Sequence, residues 1–131
     1  MESKNFLDFL PTNFRHEKSF FIQNNLIDFE KLSNLSDFDI DKIQRNSPFC
    51  TLNNLKKIRA IAIFKKKIGI SPSEAYLLLH CGIGSIKSLS QSTPYELERK
   101  IRRLERNLRV KTETYINFTI LKEWIKKANQ I

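Results

Sequence analysis

Residues 14–44 lie on residues 71–101 without a gap, at a shift of 57, and this correspondence limits what the chain can build. Glu17 falls on Glu74, and Phe20, Phe21 and Ile22 fall on Leu77, Leu78 and Leu79. Asn25 falls on Gly82, and Leu26, Phe29 and Leu32 fall on Ile83, Ile86 and Leu89. Ser36 and Asp39 fall on Thr93 and Glu96. Identities are few, but apolar positions and cap positions coincide. An apolar run that stops at a residue tolerant of positive φ, followed at once by a short apolar-spaced run and a new cap, spells a helix, a tight hairpin, a short helix and a further helix. A chain that writes this pattern twice is expected to fold it twice.

The two copies differ at the hairpin itself. The second reads Cys81-Gly82-Ile83-Gly84-Ser85, where the first reads Asn24-Asn25-Leu26-Ile27-Asp28. Gly82 can take the positive φ that ends a helix, and Gly84 lets another molecule come close to the backbone. The amides of Gly84, Ser85 and Ile86 are expected to be open donors at the start of the following helix, a cluster that attracts anions and phosphate above all. The first hairpin lacks glycine, and Asp28 would repel phosphate. Any phosphate grip therefore falls to the second copy, although Gly82-Ile83-Gly84 also reads as a plain helix–helix turn.

The remaining segments are helical by the same signals. Residues 3–10 form a short apolar segment halted by Pro11, and Thr12 or Asn13 is placed to cap a helix from about Phe14 to Asn24. Asn53 or Asn54 opens a helix reaching Ile68, with Leu55, Ile58, Ile61, Phe64 and Ile68 at three- to four-residue spacing. Ser71-Pro72-Ser73-Glu74 and Thr93-Pro94-Tyr95-Glu96 are capping boxes with proline at the first helical position. The second launches a helix with Leu97, Ile101, Leu104 and Leu108 on one stripe. Asn117 or Thr119 opens a last helix with Leu121, Trp124, Ile125 and Ala128 inward. Only three glycines and four prolines occur in 131 residues, which favours helices over an all-β fold. The expected architecture is all-α: two helix-hairpin-helix units joined by a basic connector helix. The chain is expected to be a single compact domain, 1–131, with sub-units at 12–50, 51–69 and 70–131.

Charge is unevenly spread. Residues 1–50 carry 6 basic and 8 acidic groups, whereas residues 51–111 carry 14 and 4. The total of 23 Lys and Arg against 14 Asp and Glu gives a net charge of +9, which favours polyanionic partners. Lys65, Lys66 and Lys67 stand at the end of the connector, and Arg99, Arg102, Arg103 and Arg106 stand on the helix after the second hairpin. With Gly82, Gly84, Ser85 and Lys87 they form the expected nucleic-acid-binding set. They also read as ordinary solvated helix faces.

Other chemistry finds little support. His16 and His80 have no carboxylate–nucleophile set beside them, so no catalytic residue is assigned. His16, Cys50, His80 and Cys81 lack the spacing of a zinc site, and no metal or cofactor is expected. No phosphate-binding glycine-rich fingerprint is present, and no small-molecule substrate is expected. The two cysteines make no disulfide framework, which fits a reduced, cytoplasmic setting. No long apolar run points to a membrane partner or a signal peptide. The ten phenylalanines stand mostly at helical core spacing, and one of them, or Tyr76 or Tyr95, is a candidate for stacking on a base.

These residues resemble the helix-hairpin-helix superfamily in its paired form, with residues 53–68 as connector. The run from Asn25 to Ile40 is similar to the C-terminal domain of the bacterial RNA polymerase α subunit. More narrowly, Cys81–Leu89, Thr93–Leu97 and Phe118–Ala128 resemble the small, cyanobacterial-type proteins that carry the domain of unknown function numbered 4332. The superfamily resemblance implies binding of the nucleic-acid backbone, DNA or RNA, through hairpin amides, carried here by Gly82, Gly84 and Ser85 with Lys87 nearby. Many superfamily relatives bind proteins instead. Two non-enzymatic functions are therefore expected: a nucleic-acid-binding module with low sequence specificity, or a helical adaptor for an acidic protein partner.

Overall fold

Side-chain caps decide where most helices of this protein begin. The computed structural model describes residues 6–108 and 116–131, and among these it holds eight α-helices and no strand. The all-α expectation is met. The chain divides into two compact units, Met1–Lys66 and Lys67–Ile131.

In the first unit, 3₁₀ turns at Phe6–Phe9 and Thr12–Phe14 lead into α1 (Arg15–Gln23). The expected cap at Thr12 or Asn13 is not made. Those residues are already wound into the 3₁₀ turn, so Phe14 stands at the cap with no side-chain bond. α1 ends at Asn25, whose φ of 56° is left-handed. The Leu26 amide donates to Phe21 O at 2.8 Å and the Asn25 amide to Ile22 O at 3.2 Å, the paired bonds of a Schellman stop. Asp28 then caps α2 (Phe29–Ser33), accepting from the Glu30 amide at 3.0 Å. Ser36 and Asp39 form a reciprocal box at the start of α3 (Asp37–Asn46), with bonds of 3.0 and 2.9 Å.

The fourth helix, α4 (Leu52–Lys67), begins earlier than Asn53 or Asn54. Its cap is Thr51, whose Oγ1 accepts from the Asn54 amide at 3.2 Å. Thr51 is itself fixed, because its amide donates to Oε2 of the buried Glu17 at 2.8 Å. Farther along, Arg59 donates to Leu35 O at 3.1 Å and pairs with Asp37 at 2.9 Å. All five residues of the expected stripe are buried: Leu55, Ile58, Ile61 and Phe64 in the first unit, where Phe14, Phe21, Leu32 and Ile40 are buried too, and Ile68, just past the end of α4, in the second.

In the second unit, Ser71 caps α5 (Pro72–His80) and donates its hydroxyl to Glu74 Oε1 at 2.7 Å. Gly82 carries the left-handed φ of 86°. The Ile83 amide reaches Leu78 O at 2.9 Å and the Gly82 amide reaches Leu79 O at 3.0 Å, repeating the Schellman bonds of the first unit. α6 (Ile86–Ser90) and α7 (Pro94–Leu108) follow. Asn117, one of the two expected caps, accepts from the Ile120 amide at 2.9 Å and starts α8 (Phe118–Asn129), which packs on α6 and α7. Leu121, Trp124, Ile125 and Ala128 turn inward as the spacing requires.

The starts of α1 and α5, of α2 and α6, and of α3 and α7 are each 57 residues apart (15/72, 29/86, 37/94). Two of the three positive-φ positions among the described residues, 25 and 82, keep the same shift, and so do the buried acids Glu17 and Glu74.

Candidate functional site

The hairpin between α5 and α6 stands out from its unit because its backbone is bare. Gly82, Gly84, Ser85 and Lys87 are exposed, while Ile83 between them is buried and anchors the turn. A side chain at Gly84 would meet only Leu79, at an ordinary 3.9 Å. Among the described residues nothing crowds the position, and its backbone is open to an incoming group. Gly82 is different, since its φ of 86° favours glycine although open space surrounds it.

The donors of this turn are fewer than the sequence predicts. Ser85 donates its amide to Ser88 Oγ at 3.1 Å, and its own Oγ accepts from the Ser88 amide at 3.1 Å. A capping box thus occupies the Ser85 amide, because Ser88 sits three residues on with a short hydroxyl that reaches back. Among the described residues, the amides of Gly84 and Ile86 donate to no acceptor. The open donor set is these two amides rather than three. At the equivalent turn of the first unit, Asn25 and Asp28 present a side chain and a carboxylate instead.

The expected basic residues are distributed over both units. Lys65 lies over the Phe29 ring at 5.1 Å, and Lys66 donates to Asn34 Oδ1 at 3.4 Å. Both belong to the first unit and serve its own hairpin segment. Lys67 is exposed and begins the second unit. Arg99, Arg103 and Arg106 are exposed on α7, and Arg102 is half-buried. The Arg102 guanidinium pairs with Glu105 at 2.6 Å and also donates to Ile116 O.

One grouping was not drawn from the sequence. Arg99, Arg102 and Arg106 share an open groove with Thr93, Tyr95, Glu96 and Glu98. The signal was present in the spacing, because positions 95, 99, 102 and 106 recur on one helical face. Arg103 falls outside this lining.

The histidines and cysteines form no shared centre. Cys50 is buried in the first unit and donates to His16 O at 3.7 Å, while His80 and Cys81 belong to the second. Among the described residues no cluster of three or more His, Cys, Asp or Glu could hold a metal ion. Burial, with help from Glu17, raises the Cys50 thiol above its ordinary value. Burial also raises Cys81, and Lys100 partly opposes it. Neither sits in the electropositive, open setting of a reactive thiolate. No described helix is long and apolar enough to cross a membrane.

The family model described as Domain of unknown function (DUF4332) matches residues 11–131. No curated protein and no solved structure matches the chain.

Proposed function

This chain belongs to the DUF4332 family over residues 11–131, and from that premise we propose a non-enzymatic module that binds the phosphate backbone of nucleic acid. The two hairpin units are read as divergent copies of one helix-hairpin-helix element. The second binds and the first builds. The observation that carries this reading is the bare Gly82–Gly84 turn, with the free amides of Gly84 and Ile86 on an exposed backbone. Lys67, Lys87, Arg99, Arg103 and Arg106 are exposed cations of the same unit, and they would supply the sequence-independent attraction. Contacts of this kind position a ligand without reading its bases.

The test is a titration of labelled duplex DNA and RNA at about 50 and about 200 mM salt. If six phosphates are neutralised, affinity falls by about 10³ between the two. Gly84→Glu places a carboxylate in the open approach and is expected to weaken duplex binding while leaving the melting curve intact. Absent or salt-independent binding would sink the reading.

A second reading, an adaptor for an acidic protein, draws on a different observation. Phe38 and Phe49 of the first unit are 72% and 73% exposed, Phe49 with its ring stacked on His16, and exposed aromatic surface of that kind is used at protein interfaces. A partner that survives nuclease treatment and is lost on combined Phe38→Ser and Phe49→Ser substitution would favour it.

A further inference from the structure

The groove along α7 has a lining that simple backbone attraction does not explain. It is an open groove of about 670 Å³, lined among the described residues by Thr93, Tyr95, Glu96, Glu98, Arg99, Arg102 and Arg106. A volume of this order matches a small-ligand or single-nucleotide site rather than a protein epitope. Three of its features need a common occupant.

The first is Tyr95. It is 78% exposed, yet its ring is buttressed by Phe118 at 5.0 Å between centroids, inclined at 59°. One side of the ring is thus held in place and the remainder faces water. A fixed, open aromatic ring is a stacking platform, and every base has a π-face that fits one. The second is a pair of cations. Among the described residues Arg99 and Arg106 form no ion pair, and they stand seven residues apart, about 10 Å along the helix. Arg102, between them, is tied to Glu105 and Ile116 and acts as wall. The third is a pair of carboxylates, Glu96 and Glu98, in the same lining. They add nothing to the attraction of a phosphate backbone, so a purely anionic ligand leaves them unused. They do suit a ligand that carries N–H donors beside its negative charge.

We propose that the α7 groove holds an unpaired nucleotide of a single strand, with the base stacked on Tyr95, its exocyclic amine donating to Glu98, and the flanking phosphates on Arg99 and Arg106. The proposal rests on the reading above only in taking nucleic acid as the ligand. A duplex is disfavoured because base faces and pairing edges are hidden within it, and only an unpaired base offers both at once. The carboxylates select bases with an amino group on the pairing edge. Cytosine and adenine have one, and thymine and uracil do not.

The experiment measures binding of oligo(dC), oligo(dA), oligo(dT) and a duplex by fluorescence anisotropy, with the whole chain and four variants. Tyr95→Ala is expected to weaken oligo(dC) and oligo(dA) roughly 5- to 150-fold, the range for losing one stacked base. Tyr95→Phe keeps the ring and is expected to stay near the parent affinity. Glu98→Gln is expected to erase the preference for oligo(dC) and oligo(dA) over oligo(dT). Gly84→Glu is expected to weaken the duplex while leaving the preference for oligo(dC) and oligo(dA) over oligo(dT) unchanged. Single-strand binding that depends on Tyr95, with no duplex binding at all, would retain this inference and overturn the hairpin reading. Single-strand binding insensitive to Tyr95→Ala would overturn this inference, and the hairpin reading would survive if Gly84→Glu still weakens the duplex. Equal losses for duplex and single strand in Tyr95→Ala would also overturn it. Tyr95 is exposed, so the variants are expected to keep the parent circular dichroism and melting point.

Discussion

Replacing Glu17 by alanine tests whether one buried carboxylate fixes the start of α4. Glu17 is 1% exposed and accepts from the Thr51 amide at 2.8 Å and from Asn54 Nδ2 at 3.3 Å. A hydrogen bond to a charged group is worth about 1.5–3 kcal/mol. The one buried methylene that is lost, Cγ, adds about 0.8 kcal/mol. The expected loss is about 3 kcal/mol, read as a lower urea midpoint with an unchanged slope. Glu17→Gln keeps the volume and one acceptor oxygen, and is expected to lose only about 1 kcal/mol. In a double-mutant cycle, Glu17→Ala and Asn54→Ala are expected to couple by at least about 0.5 kcal/mol. A Glu17→Ala midpoint within error of the parent would refute the reasoning. So would a Gln variant as damaged as the Ala variant, because acceptor geometry would then not be what holds α4.

Gly82→Ala is expected to cost about 1–2 kcal/mol, since its Cβ would meet open space and only the left-handed backbone is penalised; a chemical-denaturation curve checks this. Asn25→Gly, at the equivalent left-handed position, is expected to be neutral or slightly stabilising in the same assay. The Asp39 carboxyl is held below its ordinary 3.8 by the Ser36 amide and hydroxyl, with Lys42 adding attraction. Its folded value is depressed, so its contribution is present above the unfolded value and fades as pH falls through the folded one. NMR titration is expected to show Asp39 below 3.8, and Ser36→Ala to move it back up. Alkylation of Cys81 at mildly alkaline pH is expected to run slower than that of a free thiol, and slower again in Lys100→Ala, because Lys100 lowers the thiol that burial raises.

Much of the fold was legible before any coordinates because its signals are local. The caps at Ser36, Ser71 and Thr93 and the stripes of α4 and α8 are set by residues three or four apart, where helix geometry alone decides who meets whom. The errors were local too, but cooperative. Thr51 replaced Asn53 and Asn54 as a cap because Glu17, remote in sequence, holds its amide. Ser85 lost its open amide to a hydroxyl three residues away, a second capping box where one open turn was expected.

The sequence by itself determined the helices, the left-handed turns at 25 and 82 and the 57-residue spacing, since each depends on propensity, capping and periodicity within a few residues. Only the tertiary structure decided which cations are spent at home and which face outward. Lys65, Lys66 and Arg59 serve the first unit, and Arg102 closes onto Glu105 and Ile116, while Arg99 and Arg106 stay with Tyr95 on an open face. Charge on a helix is written in the sequence, but its partners arrive from distant segments, and only packing brings them within reach.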